Sequence, residues 1–143
     1  VFEDLEFVVG SLGGEHLRLR HLQFYPEATD EWSRSWVTTL IDVCVGGFPG
    51  QVKAALRSED FRRFHRDLAC LYEELRGEAT FETLEGWLQL KVVGDGLGHF
   101  AMDGEVTDYP GTGNRLRFEL SFDQTEVPPM LRSLAAILAV CPA

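Results

Sequence analysis

The stretch Ser58 to Leu68, SEDFRRFHRDL, gathers three arginines and a histidine into eleven residues, types that hold phosphate or move protons. Two pairs of carboxylates offer another chemistry. Asp103 and Glu105 lie two apart, and Glu119 and Asp123 four apart, in segments of strand-like alternation. Each pair therefore shares a face and could divide general acid and base work if a cleft raised one pKa. Nucleophilic catalysis needs Cys or Ser beside a positioned base, yet Cys70 follows His65 by five residues, about 140° around a helix. His16, His21, His65 and His99 are scattered, and Cys44, Cys70 and Cys141 lack metal-ligand spacing. Asp95 and His99 flank one turn and Asp103 follows on the next strand, without the alternating oxygen ligands of a calcium loop. Neither metal nor cofactor is expected, and no catalytic constellation emerges.

Glycine-rich stretches invite a phosphate-loop reading, because glycine lets backbone N–H groups approach an anion closely. A nucleotide loop must run from a strand into a helix, whereas GDGLG (94–98) and GTGN (111–114) lie between strand-like segments and GGFPG (46–50) opens one; none ends in GK[ST]. They read as hairpin turns. The charge points the same way. Asp and Glu number 23 against 13 Lys and Arg, a formal net charge of -10, which repels a phosphate backbone and attracts a basic partner. Direct nucleic-acid binding is not expected, and much of the charge reads as solvated surface.

The elements that must position these residues follow from periodicity. Leu116, Phe118, Leu120 and Phe122 alternate with polar residues, a strand with one wet face. Similar segments occur at about Phe2 to Val9, Leu17 to Phe24, Trp36 to Val45, Gln51 to Leu56, Ala79 to Leu84, Trp87 to Val93 and Phe100 to Thr107. Their short connections require antiparallel pairing. Two segments change to helical period. Phe61, Phe64, Leu68, Leu71, Tyr72 and Leu75 form one apolar stripe, with Ser58 as N-cap, Glu59 and Asp60 at the positive end, and Gly77 as the stop. Arg62, Arg63, His65 and Arg66 then fall on its flanks and back, and Arg63 stands four residues from both Glu59 and Asp67, ready for helical ion pairs. Val127, Met130, Leu131, Leu134, Ile137 and Leu138 repeat the stripe, predicting a helix from about Thr125 to Val140 with Pro128 and Pro129 in its first turn.

A shift of 66 positions superposes these helices, Phe61 on Val127 and Leu68 on Leu134, and carries Leu56 onto Phe122. The expected class is α+β: antiparallel sheet of about eight strands with two helices on one face, organised as two sheet-then-helix halves. The 143 residues, 45% apolar, suit a single domain, 1–143. No apolar run is long enough to span a membrane, and VFEDLEF is acidic where an export signal is basic. With three cysteines, an odd number, two of them in apolar runs that read as buried, the chain is expected to be cytoplasmic with reduced thiols.

The order GGFPG, SEDFRRFHRDLACLYEELRGEATFETLEGWLQL, GDGLGHF and GTGNRLRFELSFDQTEVPPMLRSL resembles the WapI-type immunity family of bacterial polymorphic and contact-dependent toxin systems. The resemblance rests on Trp36, Gly46-Gly47-Phe48 with Gly50, Asp60-Phe61 with Phe64, Leu75 with Gly77 and Ala79, Gly94 to His99, and Leu116 through Thr125. These are mainly fold positions; in FDQT, Asp123 or Thr125 can cap the last helix and Gln124 can bond nearby backbone. The resemblance implies no catalytic residues. It implies a non-enzymatic protein that binds and neutralises a cognate toxin domain, and a basic nuclease would suit the acidic charge.

The irregular segment YPEATDEWS at 25–33 is the longest loop. Its Glu27, Asp30 and Glu31 beside Trp32 are the candidate partner contacts, an acidic loop with an aromatic anchor. The rival reading is a small-molecule-binding or hydrolytic domain with a pocket between sheet and helices. No membrane partner is expected, and homo-oligomerisation stays open.

Overall fold

A computed structural model of the chain describes residues 5–141. Strands β1 (Phe7–Gly10), β2 (His16–Phe24), β3 (Trp36–Val45) and β4 (Phe48–Arg57) form one antiparallel sheet in chain order. Strands β5 (Arg76–Glu82), β6 (Leu88–Asp95), β7 (His99–Thr107) and β8 (Arg115–Asp123) form a second with the same order. Each sheet runs into a helix, β4 into α2 (Ser58–Glu74) and β8 into α3 (Val127–Val140) through a 3-10 turn at Gln124–Glu126. A short helix α1 (Glu31–Arg34) joins β2 to β3. The two expected sheet-then-helix halves are present, each a meander of hairpins. The part of the first expected strand before Leu5 lies outside the described residues.

Alternation decides which face each strand buries. β6 alternates without a break, with Leu88, Leu90 and Val92 inside and Gln89, Lys91 and Val93 outside. β2 breaks the rule once: Leu17 and Leu19 are buried, then Leu22 and Phe24. Between Arg20 and Gln23 its register against β3 slips, and His21 takes a left-handed φ of 53°. This bulge keeps both pairs of apolar residues inward.

Helix α2 holds the halves together. Its stripe of Phe61, Phe64, Leu68 and Leu71 is buried. Phe64 meets Phe7 of the first sheet edge-on at 6.0 Å and Phe81 of the second at 5.7 Å, and Phe61 meets Phe81 at 5.4 Å. Edge-to-face pairs contribute about 0.5–1.5 kcal/mol each beyond area burial. Leu134 and Ile137 of α3 complete this interior.

The helix ends differ from expectation in instructive ways. Arg57, not Ser58, is the N-cap; the Asp60 carboxylate reaches back to accept its N–H at 3.1 Å, and Ser58 is buried with its own N–H given to the Ser35 carbonyl. The left-handed stop falls on Leu75 (φ 62°), before Gly77, because the Leu75 N–H closes onto the Leu71 carbonyl at 2.7 Å and Gly96 N–H takes the Leu75 carbonyl. Arg62 pairs with Glu59 at 3.1 Å and Arg63 with Asp60 at 3.0 Å, spacing three instead of the expected four, since Asp60 turns inward to cap. The final helix begins at Val127, because Asp123 first caps the 3-10 turn by accepting the Thr125 N–H at 2.8 Å. Segment 25–33 is irregular only in part: Asp30 accepts the Ser33 N–H at 2.8 Å and starts α1. The GGFPG turn shrinks to Gly46 and Gly47, since Val45 already pairs with Phe48. Of the cysteines only Cys141 is buried, its thiol pushed up to about 11 by desolvation; Cys44 is half-buried and Cys70 exposed.

Two positions expose the tightness of the second sheet. A Cβ built on Gly104 would sit 2.3 Å from the Phe118 ring, which crosses that residue and is itself buried. Gly104→Ala is expected to cost about 1–3 kcal/mol through overpacking, read as a lower urea midpoint with unchanged slope. In the β6–β7 turn, Asp95 accepts N–H bonds from Leu97 (2.7 Å) and His99 (3.1 Å) and meets the His99 ring at 2.9 Å. The Leu97 bond foremost, then those from His99, hold its carboxyl down at about 2 against an ordinary 3.8. A depressed acid contributes stability above its unfolded pKa that is lost as pH falls through the folded one. Asp95→Asn should therefore flatten the decline in stability between about pH 4 and 2, and an equally steep decline in the variant's acid titration would refute this.

Candidate functional site

The outer face of the second sheet is built by strand register. Glu82, Gln89, Glu105 and Arg117 form one cross-strand row, Thr80, Lys91, Asp103 and Glu119 the next, and Glu78, Val93, Ala101 and Ser121 a third. The first two rows line a hollow of about 800 Å³. Its floor is the backbone of the inward-facing row Leu90, Gly104 and Phe118.

Charge is unevenly neutralised on this face. Glu105 draws Arg117 at 3.6 Å and Arg115 at 4.0 Å, and Lys91 leans to Glu78 at 3.4 Å, away from its cross-strand neighbour Asp103. Asp103 and Glu119 stand directly opposite each other on neighbouring strands, both exposed. Like charges so placed are destabilising. The first sheet's outer face behaves differently: Arg18 pairs with Glu6 at 2.6 Å and Arg20 with Asp42. Burial works against the Asp42 charge, but hydrogen bonds from Arg20 and Gln51 outweigh it and hold the carboxyl below its ordinary value.

The carboxylate pairs considered for acid–base work are parted by this geometry. Asp103 and Glu105 share the face, but Glu105 is held by two arginines. Glu119 and Asp123 share it too, but Asp123 serves the turn before α3, bonds from the Thr125 side chain and backbone holding its carboxyl below the ordinary value. Asp60 is pushed up by burial, yet it is committed to the Arg57 N–H and to Arg63. His65 and Cys70 stay apart on α2, half-buried and exposed. Among the described residues no group of three or more His, Cys, Asp and Glu is placed to hold a metal ion.

Glu27, Asp30, Glu31 and Trp32 are all exposed at one corner of the first sheet. Asp30 is occupied by its cap, the Ser33 backbone bond lowering its pKa most. Trp32 meets Trp36 edge-on at 5.9 Å and carries the Arg57 guanidinium 3.2 Å above its ring. Glu31 and Trp32 border a hollow of about 480 Å³ at the start of α2, with Glu59 and Leu84 opposite. Sequence reasoning missed Arg57, whose place at the end of β4 gave no sign that a cation would be buried there. It also missed the row of Asp103 and Glu119, which needs the register of β7 on β8. Both hollows open on outer surfaces, whereas Phe7, Phe61, Phe64, Phe81 and Leu134 fill the space between sheets and helices.

No helix of the described residues is long and apolar enough to cross a membrane. The chain shares its fold with a chain of the crystal structures of trypanosoma bruciei MRP1/MRP2, at 14% identity and a TM-score of 0.52, over 96% of this chain and 84% of that one. No curated protein matches it. The model of the immunity protein WapI-like family matches residues 8–142, nearly the whole of both halves, and the chain belongs to that family.

Proposed function

We propose that this protein binds and neutralises a cognate toxin domain without chemistry of its own, presenting the outer face of the second sheet to it. Family membership supports the class of function. The observation that carries the choice of surface is the opposed, unpaired Asp103 and Glu119 above the hollow. A soluble sheet has no need of that repulsion, and a basic surface laid across it relieves the repulsion on binding. A basic toxin, such as a nuclease domain, supplies that surface, and the net charge of -10 draws it in from a distance. On this reading the protein acts in the cytoplasm.

Co-expression with the toxin domain encoded beside this chain tests the reading: cells are expected to survive, and a salt-sensitive complex to co-purify. Exchanging Asp103 and Glu119 together for lysine should slow association about tenfold at low salt, with the difference closing near 0.5 M salt. Stopped-flow binding at two ionic strengths measures this. Death of the co-expressing cells with no complex at low salt would overturn the toxin-binding reading; an unchanged association rate would remove this face from it.

A further inference from the structure

Arg57 is 9% exposed at the base of the hollow beside α2. Its guanidinium lies over two indoles, 3.2 Å from the Trp32 ring centre and 4.4 Å from that of Trp36. Nη2 is spent, donating to the Trp32 carbonyl at 3.1 Å and to the Ser35 hydroxyl. Nη1 is buried and donates to nothing. A buried N–H left without an acceptor is costly to a fold that gains nothing from it.

What Nη1 lacks is an acceptor more than a charge. Around it Arg57, Arg62 and Arg63 are matched by Glu59, Asp60 and Glu85, so a further anion would meet carboxylates already in place. An uncharged carbonyl meets no such opposition. The walls say what should surround that carbonyl: Trp32 is 56% exposed and Leu84 76% exposed, apolar surface with no occupant of its own. Trp and Arg side by side in a hollow, rimmed by residues that can exclude water, are the composition of interface anchor points. The rim acids Glu31 and Glu59 favour a partner that is basic overall.

We propose that this hollow is an anchor socket in which a loop of the bound toxin domain places a backbone carbonyl on Arg57 Nη1 and an apolar side chain against Leu84 and Trp32. The inference deepens the toxin-binding reading and rests on it. Nη1 is closed to water in the free protein, so the loop enters as the Trp32 ring moves aside. That ring is more than half exposed and is steadied mainly by Trp36 and Arg57, which makes it the movable wall.

The test measures binding of the purified toxin domain encoded beside this chain to the full chain and to two variants, Leu84→Ser and Trp32→Ala, by calorimetry and dissociation kinetics. Leu84 is exposed at a turn, so Leu84→Ser should keep its urea midpoint while its Kd weakens about tenfold, through faster dissociation. Trp32→Ala should weaken Kd at least as much. Binding by the parent chain with Kd unchanged in both variants would overturn the socket and leave the toxin-binding reading standing. No binding by the parent chain would overturn both. A dimer of the free chain that Leu84→Ser dissolves in sedimentation would assign the hollow to a second copy, and so overturn the proposal.

Discussion

Phe64 is the residue on which the arrangement turns. Neither four-stranded meander could bury its inner face alone, and among the described residues the two sheets share no hydrogen-bonded strand pair; they are joined by what lies between them. Phe64 projects from α2 to meet Phe7 on one side and Phe81 on the other, so one ring belongs to both halves. Its position also sets the rotation of α2. With Phe61, Phe64, Leu68 and Leu71 inward, Arg62 and Arg66 must look out, and the arginine-rich segment becomes the helix's solvated back. The basic residues that most invite a catalytic reading are thus a consequence of apolar packing.

The same constraint explains what could be read from the chain. Strand positions and the two apolar stripes were legible because burial on one face imprints a period on each segment, and the match between stripes 66 positions apart reflects two halves that solve the same packing problem. Helix ends were less legible. The N-cap rule favours Ser58, but Ser58 is drawn inside by its N–H bond to Ser35, a contact from a distant turn, and Asp60 takes over the capping from three residues on. Gly77 looked like the stop, yet tertiary closure by Gly96 made Leu75 adopt the left-handed conformation. The bulge at His21 was written in the sequence as the change from odd to even apolar positions between Leu19 and Leu22.

The surfaces were the least legible part, for a physical reason. A pair such as Asp103 and Glu119 exists only once β7 and β8 are in register, and a one-residue slip would dissolve it. Arg57 is similar: its burial depends on Trp32 and Ser35, which reach it across the β3–β4 hairpin. Of the residues favoured in the acidic loop, Asp30 is consumed by its cap, and Trp32 gains its interest from Arg57 more than from its acidic neighbours.

Comparison of the two outer faces sharpens this. On the first sheet Arg18 and Arg20 each find a carboxylate, so these two charges are cancelled where they arise. On the second, Lys91 turns from Asp103 to Glu78, and both arginines near Glu105 are drawn to that single carboxylate, leaving Asp103 and Glu119 to repel each other. Solubility alone would be served equally by alternating signs, which cost nothing across a strand pair. Folding does not call for it either, since like charges opposed across a strand pair only destabilise. A repulsion that neither solubility nor folding requires stands over the outer hollow of the second sheet, where a surface of the other sign would relieve it.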